Sequence, residues 1–200
     1  MKREKNYRMV LSAEESFAQG VALGMWVQRP LTAWQYILPG MFVWDILKRH
    51  MAVQQYSSLF LFPRKLALEA ALGMLGGEDR EGVLSMAGNK IQEWLSIKKV
   101  YSPRILRGHM EQVRVLLDHY SRLLQAEGES YPSLIRNTYG TRVNYKGYLA
   151  RLSAAEGEVD RGLAEIQGGT AESWERLRAE EVQVAKLREK EVDRIFLEEG

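Results

Sequence analysis

Acid–base or metal chemistry in this chain would need converging ligands, and there are only three histidines, His50, His109 and His119, with no cysteine to act as a thiolate nucleophile or soft metal ligand. The spacing does not favour it. His109 and His119 fall on one predicted helix, about 280° apart around its axis and about 15 Å along it, so they cannot share an ion without a third element. Neither Glu111 nor Asp118 makes a Glu-x-x-His pair with them, so the signature of a carboxylate-bridged metal bundle is missing. Both histidines are expected to be solvated or at the edge of a core. The glycine run Gly73-Met74-Leu75-Gly76-Gly77 lacks the lysine and hydroxyl residue of a phosphate-binding loop and reads as a helix stop. No Gly-x-Ser-x-Gly elbow occurs. No catalytic residue, metal ligand or cofactor is therefore assigned.

A second kind of chemistry is contact with an apolar or anionic surface. From Pro30 to Trp44, fifteen residues pass without a charge, with Pro39-Gly40 in their middle and Trp34, Tyr36, Phe42 and Trp44 along them. Arg29 precedes this stretch, and the pairs Lys48-Arg49 and Arg64-Lys65 follow it. Indole and phenol rings settle at headgroup depth in a bilayer, and cations are drawn to anionic lipid. As a straight helix the stretch would reach about 22 Å, short of the roughly 30 Å of a hydrocarbon core, so it is expected to wedge into an interface rather than span it. Asp45 argues against deep insertion. The competing expectation is a kinked hairpin buried in a helical core, where aromatic residues also concentrate.

Charge supports a basic front. Residues 1–65 hold nine Lys/Arg against four Asp/Glu, whereas the rest of the chain holds nineteen against twenty-two. That asymmetry favours an anionic membrane surface or an acidic protein partner over nucleic acid, which would demand a stronger basic excess. The tract from Arg136 to Lys146 interleaves bases with tyrosines, but it reads as a turn and helix start whose tyrosines pack inward while Arg142 and Lys146 face water.

The elements that must position these residues are all helical, since no strict alternation is long enough for a strand. Ser12 and Glu15 form a capping-box pattern ahead of a helix from Ala13 to Gln28, and Pro30 stops it. A segment from Ala33 to His50 must kink at Pro39. Pro63 is expected to open a fresh helix, Arg64 to Leu75. A helix from Asp79 to Lys99 follows, and then Ser102-Pro103 starts the clearest one. There Leu106, Met110, Val113, Leu117, Tyr120 and Leu124 make a seam that Ile105, Leu116 and Leu123 widen. After a connection over 129–140, a helix from Thr141 to Gln167 ends at the hinge Gly168-Gly169. In the last helix, Glu172 to Glu199, fifteen of twenty-eight residues are charged, so it is expected to be peripheral or protruding. Trp174, Leu177, Val184 and Leu187 give it a short seam for pairing with another chain, interrupted by Glu181 and Glu191.

The expectation is an all-α, irregular bundle of about six to seven helices, with an N-terminal Pro/Gly-kinked aromatic hairpin and a charged C-terminal helix. Residues 1–167 would form one domain, 12–65 being the aromatic and basic hairpin region and 66–167 the core helices, with 170–200 as the appended helix. With 46% apolar and 27% charged residues the chain should fold, and the lack of cysteine fits a reducing, cytoplasmic setting, including the inner face of a membrane. The expected role is non-enzymatic and peripheral. Trp34, Tyr36, Phe42 and Trp44 would supply apolar contact and Lys48, Arg49, Arg64 and Lys65 would attract an anionic membrane or partner protein. The alternative is a soluble interaction module with the hairpin in its own core, which uses the last helix to bind another protein or a second copy of this chain. A third is an enzyme with a pocket beside His109 or His119.

Overall fold

In a computed structural model, residues 2–27, 39–166 and 168–197 are described, and among them there are seven helices and no strand. They are α1 (Lys2–Val27), α2 (Pro39–Leu75), α3 (Arg80–Ile97), α4 (Pro103–Gln125), α5 (Tyr131–Tyr139), α6 (Arg142–Ile166) and α7 (Ala171–Leu197). The expected all-α bundle is what forms.

The order of contacts follows from α4, which carries the strongest apolar stripe. Ile105, Val113, Leu116, Leu117, Tyr120, Leu123 and Leu124 have no exposed surface, and α4 packs on α1, α2, α3, α5 and α6. Leu106 and Met110, which the sequence placed on the same seam, sit at its margin instead. The pairs α1/α2, α3/α4 and α6/α7 run antiparallel. Lys65 meets Glu15 at 2.9 Å across α1 and α2, and Arg80 meets Asp118 at 2.8 Å across α3 and α4. The Tyr145 hydroxyl donates to Glu191 at 2.6 Å across α6 and α7. α4 and α6 approach closely because glycines face the partner helix. A Cβ on Gly108 would lie 2.9 Å from Val159 Cγ2, and one on Gly162 would lie 2.6 Å from Ile105 Cγ1. The reversal from α6 to α7 passes through Gly168 and Gly169 at φ 83° and 61°, a region that suits glycine. α7 then lies along α1, α5 and α6 rather than protruding, and buries Val192 and Ile195 in the common core.

Three boundaries differ from expectation, each because tertiary contact outweighs a local signal. Helix α1 begins at Lys2, so the Ser12 box is mid-helix and does not cap; Ser16 Oγ donates to the Ser12 carbonyl at 2.8 Å. The extra turns are held by Val10 in the core and by Asn6, whose Nδ2 donates to the carbonyls of Leu123 and Ala126 at 3.1 and 3.0 Å, capping the last turn of α4. Pro63 does not open a helix. It lies within the 37 residues of α2, where its ring is buried and the Arg64 guanidinium donates to the Phe60 carbonyl at 3.2 Å. The tract 129–140 is not a mere connection: Ser130 and Ser133 form a reciprocal capping box, and α5 follows.

With this topology the end of α1, the start of α2, the end of α3, the start of α4, the end of α6 and the start of α7 all share one end of the bundle. The main cavity opens toward that end.

Candidate functional site

At that end the helices spread around a cavity of about 770 Å³ between α2 on one side and α6 and α7 on the other, with the ends of α3 and α4 behind. Its walls are largely apolar: Leu59, Phe60 and Pro63 from α2, Trp94 and Leu95 from α3, Val159 and Leu163 from α6, and Leu177 and Val184 from α7. Two devices hold these walls apart. Trp94 is braced by stacking on Phe62 with ring centres 4.7 Å apart and by an edge contact with His109 at 5.6 Å. Gly157 leaves room on the α6 side, since a Cβ there would meet nothing within 4 Å.

The floor is a chain of buried charges. Arg64, 3% exposed, reaches Glu14 at 3.1 Å and Glu156 at 2.6 Å, and Arg188 reaches the other oxygen of Glu156 at 2.8 Å and Ser153 Oγ at 2.6 Å. The Tyr120 hydroxyl donates to Glu14 at 2.7 Å, and the Arg64 guanidinium lies over the Phe60 ring at 3.8 Å. Burial alone would raise the Glu156 pKa, but Arg188 and Arg64 together hold it below the ordinary carboxylate value. The floor is thus two arginines matched to two carboxylates, closed and pinned, and it ties α1, α2, α4, α6 and α7 together.

One turn further along α6 the balance changes. Asp160 lines the cavity with no hydrogen bond or ion pair to any described residue. Burial first, then Glu180, Glu156 and Glu181, push its pKa up to about 7, and Arg161 opposes them only in part. Tyr56 donates its hydroxyl to Glu180, and burial followed by that carboxylate drives the phenol pKa far upward. Lys98 stands at the margin of the cavity, on the α3 side.

The histidines do not behave as expected from the sequence. Both are buried, not solvated or at a core edge, because each lies on the inward stripe of α4. Burial lowers the pKa of His109, which lines the cavity and pairs Nδ1 with Gln112 Oε1 at 3.1 Å. His119 lies away from the cavity in an aromatic cluster, stacked on Tyr148 at 4.0 Å and hydrogen-bonded through Nδ1 to the Tyr139 hydroxyl at 2.7 Å. Burial, with Arg122 second, takes its pKa down to about 3. Among the described residues no three His, Cys, Asp or Glu side chains are grouped to hold a metal ion. His109 thus faces the cavity as a buried imidazole held by Gln112.

Of the surface residues singled out from the sequence, Trp34 and Tyr36 lie outside the described residues. Phe42, Trp44, Lys48 and Arg49 belong to α2, but their side chains also lie outside that set. Arg64 is corrected: its charge is consumed in the floor, so it cannot greet an anionic surface. Lys65 is half-exposed and paired with Glu15. The seam of α7 is used within the chain, for Leu177 and Val184 line the cavity and Leu187 packs at Gly20, leaving Trp174 37% exposed. The tyrosines of 139–148 pack inward as expected, but Arg142 and Lys146 do more than face water, bonding Glu189 at 2.8 and 2.9 Å.

Glu14, Glu156, Asp160 and Arg188 escaped the sequence reading. A signal existed: Val184, Arg188, Val192 and Ile195 share one helical stripe, so a charge stands where the pattern demands an apolar residue. No protein-family model, no curated protein and no solved structure matches the chain.

Proposed function

We propose that the protein is a helical binding protein that takes the apolar body of a small molecule into the chamber at the end of the bundle where α1 and α2 are joined. The observation that carries this is the chamber itself: about 770 Å³, apolar-walled, floored by a neutralised ion-pair network. Small-molecule sites typically occupy roughly 300–1,000 Å³ with a few fixed polar groups among apolar walls. The ion-pair floor adds rigidity, so the walls need not collapse when empty. The test is titration with the environment-sensitive dye N-phenyl-1-naphthylamine. Wild-type protein should show saturable one-to-one enhancement, and Gly157→Leu, which fills the chamber from α6 while improving helix propensity, should abolish it. Equal enhancement in both proteins would remove the proposal.

A second reading concerns a membrane or partner protein at the same end. It is favoured by topology, since the described ends of α1 and α2 flank the connection that carries the uncharged aromatic stretch. Its contacts would be Trp34, Tyr36, Phe42, Trp44, Lys48 and Arg49, without Arg64. No described helix is long and apolar enough to cross a membrane, so such contact would be peripheral if made by the helices described. Flotation with vesicles containing anionic lipid tests it: wild type should float at low salt and Lys48→Glu/Arg49→Glu should not, whereas sedimentation of both would end this reading.

A further inference from the structure

Among the described residues the charges lining the chamber do not balance, and the imbalance has a definite place. Arg64 and Arg188 are satisfied by Glu14, Glu156 and Ser153, leaving neither guanidinium to receive an anionic ligand. On the α6 and α7 wall, by contrast, Asp160 and Glu181 both line the cavity without an ion pair among the described residues, and Glu180 stands between them in sequence and field. Among the described residues lining the cavity, Lys98, on the far side, is the one cation outside the floor, and Arg161, next to Asp160 in sequence, offsets only part of the negative field. A half-buried carboxylate with no counter-charge is costly to keep ionised, and an incoming cation relieves that cost.

From the chamber and the unpaired Asp160 on its wall we infer that the occupant is an amphiphilic cation: an alkyl- or arylalkylamine. Its ammonium would sit beside Asp160 and Glu181, and its apolar body would lie against Phe60, Pro63, Trp94 and Leu163. The inference rests on the chamber being a ligand site and adds its chemical class. Aromatic walls suit the body and the methylenes next to an ammonium, and a primary ammonium supplies three donors, to the half-buried Asp160 and to the more exposed Glu181. An anionic amphiphile would set its charge against Asp160, Glu180 and Glu181 and would find both arginines already engaged. A neutral one would leave Asp160 as it is.

The affinity for such a cation depends on pH. Asp160 is faced by Tyr56 and Arg64 from α2, by Glu156 and Arg161 on its own helix, by Glu180, Glu181 and Arg188 from α7, and by Lys98 across the chamber. Because Asp160 gains its charge on passing about pH 7, the preference for a cation should strengthen between mildly acidic and mildly alkaline solution.

Calorimetric titration of the full chain with 4-phenylbutylamine, 4-phenylbutanol and 4-phenylbutyrate, at low salt and mildly alkaline pH, separates the possibilities. The amine should bind about tenfold more tightly than the alcohol, as expected for one added charged hydrogen bond, and the acid more weakly than either. Asp160→Asn should bring the amine down to the affinity of the alcohol and leave the alcohol unchanged. That variant removes an uncompensated charge, so it should be folded at least as well as the wild type, which a thermal melt verifies. If the alcohol and amine bind alike, or if Asp160→Asn spares the preference, the cation inference is overturned while the chamber stands. If the acid binds best, the arginines govern the site and the inference is equally overturned. If none of the three binds, the chamber itself is not a ligand site and both conclusions fall.

Discussion

Replacing Asp160 by asparagine should make the protein more stable, and by an amount that grows with pH. The carboxyl lies on the chamber wall with three other carboxylates acting on it, and its pKa rises from 3.8 to about 7 on folding. A group whose folded pKa is raised contributes stability in full below its unfolded pKa and loses it as pH climbs through the folded value. The window is therefore from about pH 4 to about pH 7, and the whole loss is about 4 kcal/mol at most, at about 1.4 kcal/mol per unit. Within a practical range, from about pH 5 to about pH 8, two to three kcal/mol of it should be expressed. Asparagine keeps the shape and carries no charge, so this part of the loss should vanish in the variant. Urea unfolding of both proteins at the two pH values measures it. Groups common to the pair, including the histidines, cancel in the difference. The advantage of the variant should be small near about pH 5 and larger by about 2–3 kcal/mol near about pH 8. An advantage that does not change with pH would show that Asp160 is solvated or already paired, and the electrostatic account of the wall would be wrong.

Other consequences are equally open to measurement. Gly108→Ala should cost about 1–3 kcal/mol in chemical denaturation, because the new methyl meets both Val159 Cγ2 and the Val159 backbone nitrogen at the α4–α6 contact. Arg64→Ala should cost about 3–5 kcal/mol, since Glu14 would be left buried beside Tyr120 without its cation. His119 should give imidazole NMR signals that do not titrate between neutrality and about pH 5; its pKa falls from 6.5 to about 3, so its stabilisation is complete above 6.5 and is lost as pH drops toward 3.

How much of this was legible in the residues differs between the helices and the chamber. Helices α3, α4 and α6 were readable because their signals are local: Ser102 accepts from the Ile105 amide at 3.1 Å and Asp79 from Gly82 at 2.9 Å, as short-range capping patterns promise. Where local and distant forces disagree, the distant ones prevailed. Asn6 binds carbonyls more than a hundred residues away and carries α1 past the Ser12 box, and Pro63 is tolerated inside α2. The chamber was hidden for the same reason. Glu14, Arg64, Glu156 and Arg188 come from four helices, and nothing in the vicinity of any one of them names its partners. Read singly, Arg64 looks like a cation beside an aromatic stretch. Only its burial shows that the charge is spoken for.

The most direct measurement of the central claim is methyl and indole NMR of the protein during titration with 4-phenylbutanol. The account predicts saturable shifts at the Trp94 indole and at the methyls of Leu163, Leu177 and Val184, with Leu123 and Ile135 in the far core unmoved. Shifts confined to residues outside the chamber, or none at saturating ligand, would contradict it.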